Sequence, residues 1–412
     1  MFTFQSVYPA ARPGARSQNR FMVDGVDTGP GVVDSAPRAG LSGAMRLLIL
    51  VLVWDVFLAI GVWHDRLSPG PHRPQVAIKI AVGSEDRGLF EDPQAQKDFK
   101  THGYKVTVSP FGSFAIAEQT DLSTYGLVLP SSTTATDALK ARVHKQLSDE
   151  QLFTSPLVAL TWKPLLPQLQ TLGIATQSTT DGLWHFDVGA YLRASAQAKK
   201  WETPAGLSGH QVLLETTDPE LSNSGAMFVG SAASDIDKGA VANTPGQIAC
   251  AAGVLAPVLN AQGQQKSTTD QLFETYETGG LTGKPLVLSY ESEFVGAALA
   301  GTLPEDAVMM YLDPEVGSDH SLVALSDNDD ARAFTSFLKN DETFQRIMEH
   351  TYGFRPLGAL HDDFADYMNA HGVPVATDLA PVPTPRLKDL KEIIKDATSP
   401  TPPAPPSGCG AP

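Results

Sequence analysis

Three apolar runs early in the chain restrict the fold more than any other feature. They are "QVAIKIAVGSE" from Gln75, "YKVTVSPFGS" from Tyr104 and "YGLVLPSSTT" from Tyr125, each ending in small polar residues. "DPQAQKDFKTHG" lies between the first two and reads as a helix stopped at Gly103; "TATDALKARV" follows the third as another. Strands that alternate with helices pair in parallel, because a crossover helix carries the chain back to the same end of the sheet. Further strands are expected at "SPLVALTW", "KPLVLSY", "AVMMYLDPE" and "SLVALS". Helices are expected from Trp162 to Leu172, in "FDVGAYLRASAQA", and in one long segment from Asp329 to Gly353. The fold class is α/β.

The chain has 412 residues, 42% of them hydrophobic, enough for two packed domains or one large one. A net charge of −16 argues against a nucleic-acid partner, which needs clustered lysine and arginine. No GxSxG elbow, P-loop or HExxH is present, so the sequence signals no enzyme and no cofactor. His361 beside Asp362 and Asp363 reads as a solvated acidic face, and Asp327, Asp329 and Asp330 as charges favouring a helix start. There are two cysteines. Cys250 sits in an apolar stretch and reads as a core residue, while Cys409 sits in a proline-rich tail; a disulfide between them is the lesser expectation.

Residues 1–43 are rich in Gly, Pro, Ala, Ser and Arg and read as disordered. Residues 44–65 contain the apolar run Leu47–Trp63, broken only by Asp55. As a helix this run would extend about 25 Å, enough to span or to serve as an export signal. No small-x-small cleavage site follows, which favours an uncleaved anchor with the remainder of the chain outside the cytoplasm. The prolines return after residue 378, although "RLKDLKEIIKDA" places Leu387, Leu390, Ile393 and Ile394 on one helical stripe.

The strand ends share a chemistry. Ser84-Glu85, Gly112-Ser113, Ser131-Ser132 and Ser222-Asn223-Ser224-Gly225 repeat it, and several of them precede helix starts. Such starts carry unpaired N–H groups and a partial positive charge, and small residues let a ligand approach them. Each loop alone also reads as an ordinary N-cap.

Four stretches in this order resemble the type 2 periplasmic solute-binding proteins, in the branch of phosphate-, sulfate- and molybdate-like binders. They are "KIAVGSEDRGLFEDPQAQKDFKTHGYKVTV", "TTDPELSNSGAMF", "PLVLSYESEFV" and "FQRIMEHTYGFRP", and they span roughly residues 75–360. The resemblance implies two doubly wound lobes joined by crossing hinge strands. Lobe I would hold 75–155 and 292–360, lobe II would hold 156–291, and 361–412 would form a C-terminal extension. The cleft would be lined by Ser84, Glu85, Ser113, Ser131 and Ser132 from lobe I and by Ser222, Ser224 and Gly225 from lobe II. Tyr290 and Glu291 would lie at the hinge. The implied function is capture of a small polar solute or oxyanion for an ABC-type permease or membrane sensor. Glu85 and Glu291, if both faced the cleft, would instead favour a cation, a protonated oxyanion or an amino-bearing ligand. The alternative is a membrane-tethered interaction module that keeps the fold without a small ligand.

Overall fold

The computed structural model describes residues 75–118, 121–143, 148–204, 206–325, 329–357 and 363–409. The segments expected to be disordered (1–43) and membrane-embedded (44–65) lie outside these residues, as do Asp327, His361 and Asp362. Among the described residues no helix is long and apolar enough to cross a membrane.

The strands are β1 (Val76–Gly83), β2 (Tyr104–Phe111), β3 (Leu127–Leu129), β4 (Asp149–Thr154), β5 (Leu157–Trp162), β6 (Ala175–Gln177), β7 (Trp184–Asp187), β8 (Val287–Tyr290), β9 (Ala307–Asp313), β10 (Asp319–Ala324) and β11 (Arg355–Pro356). They form a six-stranded sheet, ordered β11-β4-β10-β3-β1-β2, and a five-stranded sheet, ordered β6-β7-β9-β5-β8. β1 pairs in parallel with both β2 and β3, as the alternating pattern predicts. β10 then closes this group antiparallel to β3. Ile80, Ala81 and Val82 in β1 are wholly buried, as a central strand covered on both faces requires. The helix expected after β1 spans Pro93–Thr101, capped by the Asp92 side chain and closed at Gly103, whose φ is +85°.

The chain crosses between the sheets twice. Ser155 and Pro156 carry it from β4 to β5, and residues 314–318 carry it back from β9 to β10. The return thus falls later than Tyr290 and Glu291, where the sequence places it: β8, helix Glu291–Ala300 and β9 all precede it. The long helical segment after Asp329 is also two helices. Asp341 breaks it, because its carboxylate accepts the Phe344 N–H at 2.9 Å and starts helix Glu342–His350.

The outer face of the first sheet packs on an aromatic core that includes Phe90, Phe99, Phe334 and Phe344. Its inner face belongs to a second core, continuous with the second sheet and with the C-terminal leg. That leg passes the return crossing, where the Val382 N–H donates to the Glu315 carbonyl at 2.8 Å. It then meets the first half through Thr384 and Thr134, whose hydroxyls are 2.8 Å apart, and through an ion pair of Lys391 with Glu118. Helix Leu387–Ala397 buries Leu387, Leu390, Ile393 and Ile394, the stripe read from the sequence. On the other side Asn260 Nδ2 donates to the Ala397 carbonyl at 3.0 Å. Cys409 forms a disulfide with Cys250, with Cα atoms 5.7 Å apart. The lesser expectation for the cysteines is therefore the correct one, and the tail does not behave as a free linker. Prolines 403 and 405 lie against Gly253, where a Cβ would approach their backbone at 2.9 Å.

Candidate functional site

The C-terminal ends of β1 and β2 meet the start of helix Asn223–Ile236 across a cavity of about 370 Å³. Ser84, Glu85, Gly112 and Ser113 line it from the first half, and Ser222, Asn223 and Thr268 from the second. The walls come close at Gly112, where a Cβ would lie 2.9 Å from the Leu221 carbonyl oxygen, so only glycine fits.

Asn223 joins the two sides. It is 4% exposed, and its Nδ2 donates to the Ser131 carbonyl at 3.2 Å and to the Tyr290 hydroxyl at 3.1 Å. A carbonyl can only accept, so this contact fixes which end of the amide faces it. Oδ1 is left without a protein partner, as are Glu85 Oε1 and Thr268 Oγ1. Buried polar atoms are normally paired, so three such atoms on residues lining one cavity, from both of its sides, point to a ligand site. Glu85 Oε2 accepts from the Ser84 hydroxyl at 3.2 Å.

Behind this wall Ser318 donates its hydroxyl to the same Ser131 carbonyl and lies 3.3 Å from His320 Nε2. His320 Nδ1 is 2.8 Å from Asp86 Oδ1, and both side chains are buried. Burial pushes the Asp86 carboxyl up to about 6, against the opposing pull of His320. For His320 burial acts downward, but the Asp86 charge and hydrogen bond raise its pKa on balance. Burial, and then the charge of Glu85, raises the Tyr290 hydroxyl well above its usual range.

The remaining sequence-predicted residues stand apart from the cavity. Ser224 is fully buried, with its Oγ 2.7 Å from Thr217 Oγ1, 3.1 Å from Ser222 Oγ and 2.6 Å from Thr269 Oγ1. It knits the loop together and does not line the cavity. Gly225 is glycine for a packing reason, since a Cβ there would lie 2.3 Å from the Thr217 carbonyl oxygen. Its N–H is spent on Thr217 Oγ1 at 2.9 Å. Ser131 contributes its carbonyl, and Tyr290 its hydroxyl, as supports for Asn223. Ser132 turns the other way: its Oγ accepts the Ala135 N–H at 3.3 Å and caps helix Thr133–Val143.

Glu291 departs furthest from the cleft assignment. Its carboxylate is fully buried and accepts from Arg355 Nη2 at 2.6 Å, from Arg355 Nε at 2.5 Å and from the Tyr311 hydroxyl. Its N–H donates to the Pro156 carbonyl at 3.0 Å, beside the first crossing. It ties β11 of the first sheet to β9 of the second.

A larger cavity of about 730 Å³ lies where Ser132 and Thr133 meet residues Pro381–Lys388 of the C-terminal leg. None of its described lining residues carries a buried, partnerless polar atom, so it lacks the signature that marks the smaller one. Of the residues that matter, Asn223 lies within the Ser-Asn-Ser-Gly loop, but nothing in the local sequence sets it apart from its neighbours. Thr268, Ser318, His320 and Asp86 carried no local signal, because only distant strand pairing brings them together.

No protein-family model and no curated protein matches the chain. Solved structures do. The substrate-binding protein of an ABC transporter from Agrobacterium tumefaciens matches 80% of this chain and 96% of its own, at 16% identity and a TM-score of 0.50. The sulfate-binding protein SubI from Mycobacterium tuberculosis matches 77% and 96%, at 16% identity and a TM-score of 0.44. The apo ferric ion-binding protein A from Pasteurella haemolytica matches 78% and 95%, at 14% identity and a TM-score of 0.48. At 16% identity the likeness to the Agrobacterium protein is one of fold.

Proposed function

We propose that this chain, which has the type 2 periplasmic solute-binding fold, is an extracytoplasmic solute-binding protein. It captures a small polar solute between its two sheets and presents it to an ABC-type importer or a membrane sensor, without a catalytic step. The observation that carries this reading is the cavity shared by Glu85 and Asn223, with a buried, partnerless oxygen on each. A solute that completes those hydrogen bonds removes the cost of leaving them unmade, about 1–3 kcal/mol per group. A solute that cannot complete them is rejected by the same amount.

The Cys250–Cys409 disulfide supports a location in an oxidising compartment, where such bonds persist. The apolar run from Leu47 to Trp63 supports a tether that holds the binding body at the membrane.

Native mass spectrometry of the purified chain, followed by thermal unfolding with any solute that co-purifies, tests the reading. A solute at 100 times its Kd adds about 2.7 kcal/mol of stability. For a folded body of this size that is a rise in Tm of about 4 °C. A chain that retains no solute, and whose Tm no small polar solute moves, is not a solute-binding protein.

A further inference from the structure

The cavity between the sheets shares Glu85 with a second one of about 390 Å³. The second is walled by Asp270, Glu274, Glu277 and Glu293, with Phe273 and Tyr352 among them. Neither cavity has a lysine, arginine or histidine in its lining. An oxyanion entering here would meet carboxyl groups and no side-chain cation.

The helix starts do not outweigh these carboxyls, and helix Thr269–Gly283, which begins beside Thr268, carries Asp270 in its own first turn. The turn Ser84–Asp86 and helix Ser113–Glu118 are too short to build a substantial dipole. At the longer helix Asn223–Ile236, the Gly225 N–H is turned inward to Thr217. The polar atom that Asn223 leaves over is its carbonyl oxygen, an acceptor, because Nδ2 is held by the Ser131 carbonyl. Asn223 is 4% exposed, so this acceptor is costly to leave unmade. The open atom of Glu85 is also an acceptor.

We infer that the cleft takes a small organic cation whose ammonium group donates N–H bonds to Glu85 and Asn223. This rests on the solute-binding reading above and specifies the ligand. A bare metal ion fits less well. Among the described residues the one group of three metal-type side chains within 4.8 Å of one another is Asp98, His102 and Asp341, outside both cavities. The carboxyls are instead spread over two cavities that share Glu85, with Phe273 and Tyr352 lining the second, which suits an elongated amine.

The test is calorimetric titration of the full-length chain with putrescine and spermidine, with choline as a cation lacking N–H donors, and with sulfate, phosphate and glucose. The expected result is binding of at least one primary amine, with choline at least tenfold weaker and no binding of the anions or glucose. Glu85→Gln should weaken amine binding at least tenfold. Glu274→Gln, on the exposed rim, guards against a folding defect in the first variant and should weaken it about twofold to threefold. Raising the salt from 20 to 500 mM should weaken it several-fold. Binding of sulfate, phosphate or glucose without an amine overturns this inference and leaves the solute-binding reading standing. So does amine binding that neither Glu85→Gln nor salt alters. Retention of no solute at all removes both.

Discussion

Removing Arg355 should expose how the two sheets are fastened. Arg355 is 8% exposed, and its guanidinium donates two hydrogen bonds to Glu291, which is 0% exposed. It also lies over the Phe364 ring, 4.8 Å from the centroid. Arg355→Met would keep much of the side-chain volume while leaving Glu291 as a buried charge facing only the Tyr311 hydroxyl. Breaking one partner of a buried pair costs about 3–5 kcal/mol, whereas replacing both with neutral groups of similar volume is often close to neutral. Arg355→Met should therefore lose about 3–5 kcal/mol, and the double variant Glu291→Gln/Arg355→Met should regain at least about 2 kcal/mol of that. Urea unfolding followed through the buried Trp162 and Trp201 measures both. A single-variant loss below about 1 kcal/mol, or a double-variant loss equal to the sum of the singles, would refute the ion pair as the fastener.

Three further outcomes follow from the same structure. Cys409→Ser opens a loop with a sequence separation of 159; the chain-entropy relation gives about 5 kcal/mol for such a loop and measured values are usually about 2–4, so the urea midpoint should fall clearly, and an unchanged midpoint would show that the tail anchors nothing. Glu293 is pushed up to about 8 from 4.5, by burial first, against hydrogen bonds from the Ser289 hydroxyl and the Tyr290 N–H; between those values the folded chain keeps a proton that the unfolded chain has lost, so stability falls as pH rises across this window. Glu349, about 7, and Asp86, about 6, slope the same way, so the check is the wild type against Glu293→Gln: the variant's unfolding free energy should decline less from pH 5 to 8, and parallel profiles would contradict the assignment. Gly225→Ala places a Cβ 2.3 Å from a backbone oxygen and should cost about 1–3 kcal/mol in unfolding free energy; a neutral result would mean that helix Asn223–Ile236 slides freely along Thr217.

What the sequence revealed follows the range over which its signals act. The parallel β1–β3 group, the small polar strand ends and the amphipathic stripe at Leu387–Ile394 are local patterns, and the structure keeps them. The return crossing was not local. β8 and β9 are apolar strands like those of the first sheet, and only long-range pairing with β5 assigns them to the second. Ser224 and Glu291 show the same limit at the level of one side chain. A hydroxyl or carboxylate near a strand end serves a ligand or a neighbouring residue equally well, and here the neighbours are Thr269 and Arg355. The disulfide joins residues too far apart in sequence for spacing to suggest it.

The C-terminal leg alters what opening means for this molecule. Two crossings alone would act like a door hinge, with the far edges swinging widely. A third brace, fixed to Thr134 and Glu118 on one leaf and to Asn260 and Cys250 on the other, converts the door into a shutter. The leaves would then part only through a narrow arc unless the brace let go, so under the proposed solute-binding function exchange would depend on Lys391 and Thr384 releasing their hold.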